Sequence, residues 1–108
     1  MREIRFRAKR IDNNEWIFGD LIKNNVSPFT FINNPNTGQV KVFPDTVGQF
    51  TNLLDVNGKE IYEGDITDLG LVEWSNVDGA WTVGLWMLYK KILKVIGNIY
   101  ENPELLEE

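Results

Sequence analysis

The first residues alternate. Ile4, Phe6 and Ala8 fall on one side of an extended chain, and Glu3, Arg5, Arg7 and Lys9 fall on the other. A period of two marks a strand with one buried and one solvated face. Asp12-Asn13-Asn14 breaks the pattern with turn formers. Trp16, Phe18 and Leu21-Ile22 resume it, which predicts a first hairpin. Phe29 to Ile32 reads as a short strand rich in aromatic and β-branched residues. A turn-rich loop follows, Asn33 to Gly38, and Val40-Lys41-Val42-Phe43 predicts the return strand, ended by Pro44-Asp45.

Residues 46–54 read as an extended piece around Gly48. Asn57-Gly58 is the strongest hairpin signal in the chain, because a type I′ turn needs positive φ at both central residues. Lys59 to Tyr62 starts a strand, Glu63-Gly64-Asp65 reads as a turn, and Ile66-Thr67 begins another strand. Leu71 to Trp74 and Ala80 to Val83 flank Asn76-Val77-Asp78-Gly79, which predicts a third hairpin with Trp74 facing Trp81. Leu85 to Lys94 reads equally as one helical turn or two strands. Leu93 to Ile99 favours a strand, and Pro103 is placed to open a final helical turn.

About eight short strands with turn signals every ten residues or so predict an all-β chain of antiparallel strands. A barrel-like single domain over residues 1–108 is expected, with 1–48 and 49–108 as candidate sub-units. Glu63-Gly64-Asp65-Ile66 resembles the first strand of small SH3-like barrels, so the second half is a candidate SH3-like barrel.

Composition narrows the chemistry. The 108 residues include neither cysteine nor histidine. That excludes disulfides, thiolate nucleophiles, Cys/His zinc sites and histidine-based triads. Ser27 and Ser75 are the only serines, and neither lies in a Gly-x-Ser-x-Gly context. No phosphate-binding glycine loop occurs. No apolar run reaches the ~20 residues of a membrane-spanning helix, and no apolar stretch follows the basic start as a signal peptide requires. A cytoplasmic, membrane-free protein without cofactors is expected.

Charge is uneven. Residues 1–10 carry a local balance of +4 within a chain of net charge −5. The acidic remainder repels nucleic-acid phosphate, but Arg5, Arg7 and Lys9 form a basic stripe that would contact it. Glu60, Glu63, Asp65 and Asp68 lie within nine residues. Glu63 and Asp65 are the candidates for a hard-metal or hydrolytic pair, against an alternative in which Asp65 caps a turn. Trp16, Trp74, Trp81 and Trp86 are many for this length. Trp74 and Trp81 are the candidate anchors for a protein partner, against an alternative of cross-strand packing.

Several blocks also resemble the YopX-like family of phage and prophage proteins. The opening Met1-Arg2-Glu3-Ile4-Arg5-Phe6-Arg7-Ala8, then Trp16 to Ile22, Thr46 to Thr51, Asn57 to Ile66 and Val95 to Leu106 match in the same order. Residues 68–94 do not match, and Asn52-Leu53 stands where family members often carry Gly-Leu. The resemblance implies a mainly β, barrel-like protein of phage or prophage origin acting inside a bacterium. It implies no activity and transfers no catalytic residues. Together with the residue reading, it leads to the expectation of a non-enzymatic accessory protein binding a host or phage protein, with self-association as a further expectation. Nucleic-acid binding and a carboxylate-metal hydrolase are the alternatives.

Overall fold

The structure is a computed structural model that describes residues 3–23 and 28–106, Lys90 by its backbone only. Ser27, one of the two serines, lies outside the described residues. Contacts divide the chain into two compact units at Phe50/Thr51. Eleven strands and three 3-10 turns occur among the described residues, with no α-helix.

In the first unit, β1 (Phe6–Lys9) and β2 (Trp16–Ile22) form the first hairpin, with Phe6 opposite Gly19 and Lys9 opposite Trp16. Strand β3 (Thr30–Asn34) pairs with β2 and then with β4 (Gly38–Val42). The far end of β4 returns to β1. Arg10 bridges Val42, and Phe43 N donates to Lys9 O at 2.9 Å. A 3-10 turn at Pro44–Thr46 leads into β5 (Gly48–Leu54), whose first residues pair with β1. Ala8, Ile17, Ile32 and Val42 form the core of this unit, with Phe6, Leu21, Val40 and Val47 packed against them.

The expected solvated face of the first strand is not solvated. Arg7 and Lys9 are only 6% and 7% exposed, whereas Ile4, just before the strand, is 66% exposed. The indole of Trp16, directly across the hairpin, is the physical reason. The Arg7 guanidinium lies 4.4 Å and the Lys9 ammonium 5.1 Å from its ring centre. Cationic groups settle on aromatic faces, and their alkyl stems bury readily. Period two therefore identified the strand but misassigned its second face.

In the second unit, the latter part of β5 pairs with β6 (Glu60–Tyr62). A five-stranded sheet follows in the order β10-β9-β8-β7-β11. Its strands are β7 (Asp65–Thr67), β8 (Gly70–Ser75), β9 (Ala80–Val83), β10 (Trp86–Met87) and β11 (Val95–Asn98). A meander of four strands, a 3-10 turn at Leu88–Lys90 and a last strand returning to the first is the SH3-like order. The sheet keeps two edges, so the unit is barrel-like without closing. The ambiguous segment 85–94 thus contains both a short strand and one helical turn. Ile61, Val72, Val83, Leu88, Leu93 and Val95 form this unit's core.

The turn at Asn57-Gly58 differs from the type I′ expectation. Gly58 has φ +80°, but Asn57 is not among the described residues with positive φ. Asp55 accounts for this. Its Oδ1 accepts from Asn57 N at 2.8 Å and from Lys59 N at 2.9 Å, while Gly58 N donates to Asp55 O at 3.0 Å. A side chain that mimics the turn backbone leaves only the glycine in the left-handed region.

Candidate functional site

The tryptophan hairpin is built by register. Trp74 on β8 lies opposite Trp81 on β9, two residues beyond the fully buried pair Val72 and Val83. Residues two apart on a strand share a face, so both indoles extend the core face toward the turn. Their centroids are 5.1 Å apart with planes at 75°, an edge-to-face contact. The two differ in role. Trp81 packs against the core, and its indole N–H is buried with no acceptor among the described residues. Trp74 is 42% exposed, and its N–H donates to Asn76 Oδ1 at 3.0 Å. Ser75 Oγ accepts from Asp78 N and donates to Asp78 Oδ2, which fixes the turn beyond them. An aromatic edge is thereby held open to solvent on an ordered hairpin.

The basic candidates do not form an open stripe. Arg7 and Lys9 lie on Trp16, and Lys9 Nζ also donates to Asn14 O at 3.3 Å. The Arg5 guanidinium sits 4.8 Å from the Phe50 ring centre and pairs with Glu3 at 3.6 Å. The neighbouring Arg10 donates from Nε and Nη2 to both oxygens of Asp12, at 2.9 and 2.8 Å. That fork holds the Asp12 carboxyl below its ordinary range and raises Arg10.

The acidic candidates are separated by function. Asp65 is buried, and its Oδ2 accepts from Tyr62 N at 2.8 Å across the turn. This is the capping geometry weighed against a metal site. Glu63 stands at the turn and is half-buried. Among the described residues no group of three or more acidic side chains is placed to hold a metal ion.

Sequence reasoning missed two features. The first is the meeting of two distant blocks. Ile99 N donates to Gly64 O at 2.9 Å, and the Tyr100 ring lies so close that a Cβ on Gly64 would stand 3.0 Å from it. Asn98 ties the second block together. Its Oδ1 accepts from Tyr100 N and Glu101 N, and its Nδ2 donates to Glu101 Oε1. The similarity of both blocks to one family was legible; their contact was not. The second is a cleft of about 390 Å³ in the first unit, lined by Glu3, Arg5, Phe18, Asp20, Asn33 and Asn34 among others. Only the pairing of three strands brings these residues together.

These observations define an all-β protein of two small barrel-like units. It offers an ordered aromatic hairpin, and Asp65, Arg5, Arg7 and Lys9 are engaged in contacts within the fold. The chain belongs to the YopX family: the model of the YopX protein family matches residues 5–107. Its structure is also similar to the crystal structure of protein EF1440 from Enterococcus faecalis, with a TM-score of 0.61 and 25% identity, covering 99% of this chain and 100% of that one. No curated protein matches the chain. Among the described residues no helix is long and apolar enough to cross a membrane.

Proposed function

We propose that this chain is a non-enzymatic binding module for a protein of the phage or its bacterial host, and that the β8–β9 hairpin is its contact surface. The exposed Trp74 edge, fixed by Trp81 and Asn76, is the observation that carries the reading. A rigid, half-exposed tryptophan beside an apolar core is the kind of residue on which interface energy concentrates. The chain's net charge of −5 favours encounter with a basic partner, by steering rather than by tight ion pairing. The burial of Arg7 and Lys9 supports a protein partner over a nucleic acid, because phosphate contacts need accessible cations.

The test is capture from host lysate with wild-type protein and with Trp74→Ala, each with and without nuclease. The reading expects a protein retained after nuclease and lost from Trp74→Ala, while the variant remains folded and its thermal unfolding falls only by what the lost edge-to-face contact with Trp81 accounts for. Capture that disappears with nuclease, or that is unchanged by Trp74→Ala, overturns it.

A further inference from the structure

A second surface in the second unit has a different character. Leu85 is 98% exposed, Ile92 89%, Tyr89 65% and Trp86 45%, all within eight residues. Leu85 occupies the two-residue turn between β9 and β10, Trp86 is on β10, and Tyr89 is in the 3-10 turn that follows. Single exposed apolar residues are ordinary, but four large ones within so short a stretch point to a surface that is covered in use. Its charge is also unusual. From Gly79 to Tyr100 there is no acidic residue, and the charges are Lys90, Lys91 and Lys94. In a chain of net −5, this stretch is +3 and the remainder −8. Lys91 Nζ lies 4.7 Å from the Trp86 ring centre, which joins a cation directly to the exposed indole.

The same chain carries the complement. The 3-10 turn Pro103–Leu106 presents Leu105 and Leu106 at 44% and 42% exposure, with Glu104 exposed beside them and Glu101 just before. Both patches are open in the single chain, so neither covers the other there. We propose that the 85–94 surface of one copy docks the 101–106 segment of a second copy, with Leu85 and Ile92 against Leu106 and with Lys91 and Lys94 facing Glu101 and Glu104. The two surfaces differ, so the contact is heterologous, and repetition yields a ring or an open chain rather than a simple two-fold pair unless both contacts form at once. The matching of apolar and opposite-sign charge on both sides favours a second copy over an anionic lipid surface, which the −8 remainder repels.

The experiment is light scattering on full-length protein over a concentration series reaching roughly 100 µM, enough to saturate a contact of micromolar Kd. Three variants accompany wild type: Leu85→Asp/Ile92→Asp, Glu104→Lys/Leu106→Asp, and Val77→Asp as a control. Val77 is 96% exposed at the hairpin turn and outside both patches. Circular dichroism verifies that each remains folded. Lys91→Glu/Lys94→Glu is a milder alternative for the first patch should the double aspartate not fold.

Wild type and Val77→Asp are expected to exceed the 12.5 kDa monomer mass at least twofold. Each patch variant alone is expected to run as a monomer. Mixing the two is expected to restore a species of twice the monomer mass, because each retains one intact surface. A monomeric wild type, a patch variant that still associates, or a mixture that stays monomeric overturns the proposal. Binding of monomeric wild type to vesicles of phosphatidylglycerol, lost in Leu85→Asp/Ile92→Asp, overturns it in favour of a lipid surface.

Discussion

The carboxylate of Asp55 accepts a hydrogen bond from the backbone N–H of Val95 at 3.0 Å, forty residues away in sequence. Its other oxygen holds the Asn57-Gly58 turn through Asn57 N and Lys59 N. One buried side chain therefore fixes a turn and docks the last strand of the second unit. Burial raises the carboxyl's pKa, but the backbone donors at Val95, Lys59 and Asn57, helped by the charge of Lys59, outweigh it and leave the group below its ordinary value. A carboxylate depressed in the fold stabilises it fully above its unfolded value, near 3.9, and loses that contribution as pH falls through the lower folded value.

Asp55→Ala leaves three backbone donors without their acceptor. A loss of about 3 kcal/mol at pH 7 is expected, from ~1–3 kcal/mol per unsatisfied buried group with partial rescue by water. Urea unfolding at pH 7 and in acid checks both parts. The gap between wild type and variant should narrow only below the ordinary aspartate range. A gap constant down to the lowest accessible pH would show that the charge is not what matters.

Asn52 has φ +67° in the middle of β5. Asparagine is among the few residues other than glycine that tolerate this region. Glycine would accept the same backbone at this position without a Cβ to strain it. Asn52→Gly is expected to stay within about 0.5 kcal/mol of wild type, and Asn52→Val to lose at least about 1–2 kcal/mol from strain. Equal stability of the two in thermal melts would remove the backbone argument.

Gly19 is required by close approach, and Gly64 by its turn conformation together with a close neighbour. A Cβ on Gly19 would collide with the backbone carbonyl of Asn33 on β3, and one on Gly64 would press the Tyr100 ring. Gly64 also has φ +91°. Gly19→Ala is expected to cost more than about 2 kcal/mol, because a backbone neighbour cannot rotate away as a side chain does. The control is Gly38→Ala, where a Cβ meets nothing within 4 Å and only the φ of +75° opposes it. Denaturant midpoints should rank wild type, then Gly38→Ala, then Gly19→Ala.

Local signals were the most legible part of this chain. The β8–β9 hairpin, its Trp74–Trp81 register and the helical turn opened by Pro103 all follow from residues close in sequence. What the sequence concealed depends on long-range partners. Alternation could not show that Trp16 would cover Arg7 and Lys9. The Asn57-Gly58 pair could not show that Asp55 would cap the turn, nor could either family-like block show that Gly64 and Tyr100 would meet. The same holds for the hairpin's two indoles, which alternation places on one face without saying which is core.

Their different environments give the sharpest prediction. Trp81 is partly buried and packs against the core of the second unit, so Trp81→Ala removes buried surface and leaves a cavity, at a cost of about 3 kcal/mol. Trp74 is 42% exposed and loses mainly its edge-to-face contact, about 0.5–1.5 kcal/mol. A double-mutant cycle isolates the pair: the two losses should fall short of additivity by about 1 kcal/mol, since each single change already removes the shared contact. The binding surface proposed on this hairpin requires that asymmetry. Should Trp74→Ala destabilise the fold as much as Trp81→Ala, Trp74 would be a structural residue and the hairpin would lose its claim to a partner.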